Sequence, residues 1–231
     1  MKKKYGLLSA VMLSSLLLFL GTSCKQDSYE KGEGKYSLMR GDFVELHINA
    51  DKKADAVTTD DGDLYPLQDL YSANWISVAD TTYRCMLYYN KVKAADGKMQ
   101  AEVISVGQVP CPSIKPLNDF DKEVRTDPVR FESMWMSKSG KYLNVSLQLK
   151  TGQTEDTTAI HQLAFLSEKL AIHPNEKRTL HFFLYHDQNK MPEYYSTQVY
   201  VSIPTKDIEA DSVCFTVNTY SGPIVKTLSL K

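Results

Sequence analysis

Leu143-Asn144-Val145-Ser146-Leu147-Gln148-Leu149-Lys150 is the stretch that decides the fold class. Apolar and polar residues alternate without a break. An extended chain sends successive side chains to opposite faces, so Leu143, Val145, Leu147 and Leu149 share one face. Asn144, Ser146, Gln148 and Lys150 share the other. The expectation is a strand of an antiparallel sheet with one buried face and one wet face.

The same period of two extends on both sides. Upstream, Val129, Phe131 and Trp135 are expected to share a face, and Ser139-Gly140 to turn the chain. Downstream, Ile160–Leu166 continues the pattern. Leu180, Phe182 and Leu184 then alternate with His181, Phe183 and Tyr185, and Asp187-Gln188-Asn189 turns. Thr197, Val199, Val201 and Ile203 follow, then Val213, Phe215 and Val217. Ser221-Gly222-Pro223 leads to a last strand ending near Leu230. Seven strands with turns between them in roughly 100 residues predict a β-sandwich of the immunoglobulin-like kind.

The preceding part of the chain is also β. Val44, Leu46 and Ile48 alternate with Glu45, His47 and Asn49. Ala56–Thr59, an Asp61-Gly62 turn and Leu64-Tyr65-Pro66 read as a hairpin. Tyr83, Cys85, Leu87 and Tyr89 form one strand face, and an Asp96-Gly97 turn leads to Val103, Ser105 and Gly107, which alternate with Glu102, Ile104 and Val106. A short irregular or helical piece is expected around Leu67–Ala73. About five strands with one small helix match a small barrel of the OB type. Pro110, Pro112 and Pro116 and the polar run Asn118–Asp127 then read as a linker. The whole is expected to be all-β, with an OB-like barrel over 36–118, a linker over 119–127 and a sandwich over 128–231.

The N-terminus carries an address. Lys2, Lys3 and Lys4 precede an apolar run from Leu7 to Leu20, and Gly21, Thr22 and Ser23 precede Cys24. Charge, short apolar run and small residues in that order make a secretory signal over 1–23. The run is shorter than the roughly 20 residues of a membrane span. Leu20-Gly21-Thr22-Ser23-Cys24 resembles a lipobox, in which small side chains lead to a cysteine that receives diacylglycerol; the leucine stands one step earlier than usual. Cys24 is therefore expected to carry lipid and to place the chain in the cell envelope, on the outer membrane. Residues 24–35 are polar and glycine-containing, a flexible tether. Lys25, Gln26 and Asp27 partly match a tag for export to the cell surface.

Charge and motifs exclude several functions. Loss of residues 1–23 lowers Lys+Arg from 27 to 24 against 28 Asp+Glu, a net charge of −4. No basic block remains, so no nucleic-acid footprint is expected. Cys85, Cys111 and Cys214 fit no zinc spacing and allow one disulfide at most. Cys85 sits on the face of Leu87 as a buried thiol, whereas Cys111, between two prolines, is the more exposed. The five histidines, His47, His161, His173, His181 and His186, form no His-Glu-x-x-His, and no Gly-x-Ser-x-Gly occurs. His181 and His186 should point to opposite faces. Asp60, Asp61 and Asp63 could suit calcium, but a polar hairpin turn accounts for them. No catalytic residue, metal or cofactor is expected. Asp80-Thr81-Thr82, Asp156-Thr157-Thr158 and Asp211-Ser212-Val213 resemble short O-glycosylation sequons.

Aromatic residues are in mild excess, with 14 tyrosines. Most are explained by packing on strands. Phe183 and Tyr185 alternate with the buried set of their strand, and Tyr194 and Tyr200 do so on the next. If the two strands form a hairpin, these four make one apolar contact patch. It would serve the interface between the two domains first, or a protein partner or a sugar.

Ala56-Val57-Thr58-Thr59-Asp60-Asp61-Gly62-Asp63-Leu64-Tyr65, Asp127-Pro128-Val129-Arg130-Phe131, Gly140-Lys141-Tyr142-Leu143-Asn144-Val145 and His161-Gln162-Leu163 together resemble the NigD-like lipoproteins. The likeness spans nearly the whole chain after the leader. It implies an N-terminal OB-type domain, a C-terminal β-sandwich and no family catalytic residue. The family's name comes from a bacteriocin operon, which implies an immunity role. The functional expectation is a non-catalytic, membrane-anchored lipoprotein that binds a protein partner, with a glycan as the alternative.

Overall fold

The structure is a computed structural model and describes residues 32, 34 and 36–230. The expected leader, Cys24 and most of the tether lie outside the described residues.

The first five strands are β1 (Arg40–Ile48), β2 (Ala54–Thr59), β3 (Leu64–Tyr71), β4 (Thr81–Lys93) and β5 (Met99–Gln108). They close into a barrel in the order β1-β2-β3-β5-β4, with β3 and β5 parallel. This is the OB arrangement the alternation predicts. Val44, Leu46, Cys85, Leu87 and Tyr89 are fully buried in its interior. The β2–β3 hairpin turns at Gly62 (φ 88°) and the β4–β5 hairpin at Gly97 (φ 84°), backbone that favours glycine. Two expectations change here. Leu67–Ala73 is not helical, because Tyr65 and Leu67 point into the core and strand β3 runs on to Tyr71. In β5 the register shifts, with Ser105 opposite Tyr88 and Val103 opposite Tyr89. Ile104 is the extra residue, so Val103 and Val106 both pack on the core although the sequence puts them on opposite faces.

The rest forms two sheets. One has the order β13-β12-β10-β9-β6, where β6 is Ile114–Pro116, β9 Gln162–Ile172, β10 Arg178–Asp187, β12 Ser212–Thr219 and β13 Gly222–Ser229. The other is β11-β8-β7, where β7 is Arg130–Met136, β8 Tyr142–Thr151 and β11 Tyr195–Pro204. The seven expected strands are all present. The short β6 is an addition: it pairs in parallel with β9, so the sandwich sheet takes residues from ahead of 118. β10 and β12 are also parallel, whereas the other neighbouring strands of the sandwich are antiparallel. Between the sheets lie Leu143, Val145, Leu147, Phe165, Phe182, Ile203, Val213 and Phe215, each at most 1% exposed.

The sandwich departs from simple alternation in three places. A bulge in β7 puts Phe131 opposite Leu147 and Ser133 opposite Ser146. Phe131 and Met134 therefore face the core, and Trp135 is turned to the outer side. The second face of β8 is not wet: Asn144 and Ser146 are buried, because the barrel lies against it. Finally, β10 and β11 belong to different sheets, so the chain crosses the sandwich after Asp187 instead of folding back as a hairpin. Asn189 (φ 48°) and Lys190 (φ 63°) make that crossing.

Phe215 is fully buried, with its ring centroid 4.9 Å from that of Phe182. Phe215→Ala should destabilise the chain by about 3–5 kcal/mol. The expected signature in urea is a lower midpoint with an unchanged slope.

Candidate functional site

Strand β4 buries Cys85 and Leu87, so alternation sends Arg84 out through the barrel wall. In an isolated barrel that guanidinium would stand in water. Here its side chain is 1% exposed, because the barrel wall and the outer face of β11-β8-β7 pack together within one compact unit, Leu38–Lys231. Asp60, in the turn after β2, takes it in a two-pronged pair: Nη1 and Nη2 donate to Oδ1 and Oδ2, each at 2.7 Å. Arg84 Nε donates to Ser202 Oγ at 3.3 Å. Nη2 also approaches Asn144 Oδ1 at 3.5 Å, and that oxygen accepts from Ser202 Oγ at 2.7 Å. The guanidinium carbon lies 4.2 Å from the ring centroid of Tyr142 and 5.2 Å from that of Phe43. A planar cation sandwiched by rings and forked onto one carboxylate suits arginine and not lysine.

Around this clamp the interface is aromatic on one side and charged on the other. Phe43 stands edge-on to Trp135 at 5.7 Å and to Tyr200 at 5.3 Å. Glu45 accepts from Lys141 Nζ at 2.8 Å and from Tyr142 Oη at 3.0 Å. Burial works to raise the Glu45 carboxyl, but these two hydrogen bonds outweigh it and hold it below the usual carboxylate range. Burial and the adjacent Glu45 push the Tyr142 hydroxyl up. The Ser202 amide donates to the Pro110 carbonyl at 3.0 Å, which fixes the chain segment that leaves the barrel.

Beside the clamp a cavity of about 680 Å³ opens between barrel and sandwich, lined among others by Glu45, Arg84, Gln108, Cys111, Tyr142 and Lys206. A smaller one of about 280 Å³, walled by Asp42, Phe43, Trp135 and Lys138, lies on the other flank. The groups at the back of the larger cavity are committed. Asp60 neutralises Arg84, and Lys141 and Tyr142 hold the Glu45 carboxyl below its usual range. Among the described residues no three His, Cys, Asp or Glu side chains gather to hold a metal ion.

The four aromatic residues singled out in the sequence do not meet. Tyr200 faces the barrel through Phe43, which fits the interdomain role. Tyr185 is buried on the other sheet against Phe120, ring centroids 4.7 Å apart. Phe183 is half-buried on that sheet, and Tyr194 is 77% exposed near Gly152. The patch required a hairpin between β10 and β11, and the crossing after Asp187 removes it. Cys111 is exposed and Cys85 buried, as their positions suggested, and both are free thiols. The clamp has no signature in the sequence pattern. Arg84 reads as a surface residue, and Asp60 reads as turn chemistry. The available signal was the second face of β8: Asn144 and Ser146 are small and uncharged, where a solvated face usually carries Lys or Glu.

Residues 112–229 match the model of the NigD-like C-terminal beta sandwich domain. A NigD-like immunity protein from Bacteroides caccae shares the fold with a TM-score of 0.64 at 22% identity, over 81% of this chain and 91% of that one. A protein of unknown function from Bacteroides vulgatus aligns at 0.61 and 14% identity, over 83% and 90%. A protein from Bacteroides fragilis described as a candidate lipoprotein aligns at 0.58 and 9% identity, over 84% and 98%. At these identities the likeness speaks for the fold alone. No curated protein matches the chain in sequence.

Asp60→Ala leaves the Arg84 charge buried and unpaired, so it should cost about 3–5 kcal/mol in urea unfolding. Arg84→Met leaves Asp60, whose side chain is 19% exposed, able to reach water, and should cost less. The double variant should be more stable than Asp60→Ala alone, which a double-mutant cycle would read as coupling between the two.

Proposed function

From the premise that this chain belongs to the family of the NigD-like C-terminal β-sandwich, we propose that it is a lipid-anchored, non-catalytic envelope protein that binds a partner in the cleft between barrel and sandwich. The observation that carries the reading is the cleft itself. Its volume lies within the roughly 300–1,000 Å³ of typical ligand sites. Its walls are strands of barrel and sandwich joined by the contacts of Arg84 with Ser202 and Tyr142, so the shape is formed before any partner arrives. The paired state of Arg84 and Glu45 suits recognition better than proton-transfer chemistry.

The anchor rests on the lysine-led leader and on Cys24 after Gly21-Thr22-Ser23. A fold shared with a Bacteroides fragilis protein described as a candidate lipoprotein agrees with it. A lipid at Cys24 puts the chain on the outer membrane, at its periplasmic or outer face. The partner we favour is a protein, and the immunity role named for the Bacteroides caccae protein makes a bacteriocin the first to test. Apolar wall residues such as Val109, Pro110 and Pro204 beside the Lys206 ammonium suit a peptide segment with apolar side chains and a carboxylate.

Mass spectrometry of the native product should show fatty acyl groups on Cys24, and Cys24→Ser should release the chain from the membrane fraction. The full chain should retain a protein from the cells it faces, and Gln108→Trp, which fills the cleft without touching the clamp, should lose it at an unchanged melting temperature. Retention by polysaccharide with no protein captured would replace the protein partner by a glycan. Unaltered bacteriocin sensitivity in a deletion strain would remove the immunity role.

A further inference from the structure

An open strand edge is a row of unpaired N–H and C=O groups that invites another strand, and proteins blunt such edges with charge, proline, bulges or brevity. Three edges of the sandwich are blunted in this way. β6 is three residues long and ends at Pro116. β7 is bulged between Phe131 and Ser133 and carries Arg130 and Glu132. β13 carries Pro223 and Lys226. The edge strand of the other side, β11, is different. It pairs with β8 from Tyr195 to Pro204 with no shift of register. The chain from Tyr194 to Thr205 has no charged residue.

Two hydrogen bonds fix which main-chain groups of β11 face outward. The Thr205 amide, just past the strand, donates to the Lys141 carbonyl at 2.9 Å, on the β8 side. The Ser202 amide donates away from β8, to the Pro110 carbonyl, at 3.0 Å. In an antiparallel ladder the main-chain groups of successive residues point to opposite sides. Tyr200, Gln198 and Ser196 therefore point the same way as Ser202. Among the described residues no backbone hydrogen bond reaches these three from that side. Residues 195–198 are exposed, and Tyr200 is half-buried against Phe43. Tyr194 and Tyr195, at the open end, are 77% and 55% exposed. Pro110 caps the edge at Ser202 and the rest is bare.

The bare stretch is symmetric about one residue. It begins at Tyr195, where the strand begins, and ends at Val201, the last residue before the Pro110 contact. Its centre is Gln198. A second copy running antiparallel, with Gln198 opposite Gln198, sets Ser196 of each copy opposite Tyr200 of the other. Every outward N–H and C=O of the three residues then meets its complement. A residue on a two-fold axis faces its own kind, so a charge there would repel itself, and this stretch has none. The two Ser202 residues, where each copy's contact with Pro110 begins, would stand about 27 Å apart along the paired strands, at about 3.4 Å per residue. We propose that β11 is a homodimer edge: two copies pair antiparallel through residues 195–201 about Gln198 and join their three-stranded sheets into one continuous sheet.

The contact is a short ladder with Tyr194 and Tyr195 at its ends, smaller than the interface of a permanent dimer. Monomer and dimer should therefore exchange, with the balance set by concentration. Residues 194–201 do not line the cleft between barrel and sandwich. The dimer edge and the partner in the cleft thus stand or fall separately.

Sedimentation equilibrium of the full chain in density-matched detergent tests the edge. The wild type should pass from the monomer mass toward twice that mass as concentration rises. Gln198→Lys and Gln198→Glu each place like charges opposite one another on the axis and should weaken dimerisation by about fivefold. An equal mixture of the two variants sets lysine against glutamate and should restore it. Both variants lose the hydrogen bond from Gln198 Nε2 to Ser146 Oγ, 3.0 Å long in the wild type, so restoration on mixing reads pairing and not folding. Thr227→Lys, on the blunted β13 edge, should leave the dimer unchanged. A wild type that stays monomeric at every concentration overturns the proposal and leaves the edge to a strand of another protein. A dimer that both charge variants keep, or variants that stay monomeric when mixed, would overturn it as well.

Discussion

A guanidinium that has left water without leaving its charge behind imposes strict terms on everything near it. Arg84 must find a carboxylate, acceptors for its remaining N–H groups and surfaces that tolerate a flat cation. Asp60 meets the first need, Ser202 and Asn144 the second, Tyr142 and Phe43 the third. Those residues come from both sides of the interface. Barrel and sandwich cannot slide or rotate without breaking several of these terms together, and each broken term leaves a polar group stranded. Such a pair adds little net stability over well-packed hydrophobes. What the guanidinium supplies is orientation, since Asp60 fixes its plane from the barrel while its Nε donates to Ser202 across the interface. Even so the satisfaction is incomplete: Asn144 Nδ2 is buried with no partner among the described residues.

The barrel and the sandwich were legible because their cores obey simple alternation. Val44 to Ile48, Cys85 to Tyr89, Leu143 to Leu149 and Val213 to Val217 are buried where the period of two puts them. Legibility ended where one residue was added. The extra Ile104 reverses the second half of β5, and the bulge between Phe131 and Ser133 turns Trp135 from the core to the barrel. A bulge leaves no mark in hydrophobic pattern, yet it exchanges the two faces of everything after it. The crossing after Asp187 is a similar case. Asp-Gln-Asn signals a turn, but whether the next strand returns to the same sheet is decided by packing that lies far away in sequence.

The interface was hidden for a different reason. Periodicity separates apolar from polar faces, and it equates polar with wet. On β8 that equation fails, because Asn144 and Ser146 are polar and buried. The stretches that carry the family resemblance contain Asp60, Lys141, Tyr142 and Asn144, and all four stand at the junction. Read singly they are a turn residue, a surface lysine and two strand residues. Only the fold shows that Lys141, Tyr142 and Asn144 reach partners in the barrel 60 to 97 positions away along the chain.

The two polar clusters also differ in kind, and the difference bears on function. The clamp joins a guanidinium to a carboxylate through two short parallel hydrogen bonds. It makes the cleft a fixed shape. The histidine pair His161–His186, at another place in the sandwich, joins two stacked rings and ends on the Asp127 carbonyl. It holds residues 126–129, a segment that β10 and β12 leave room for only because they are parallel and splay apart. The clamp and the histidine pair share no residue, so disturbing the second draws on none of the contacts that shape the cleft.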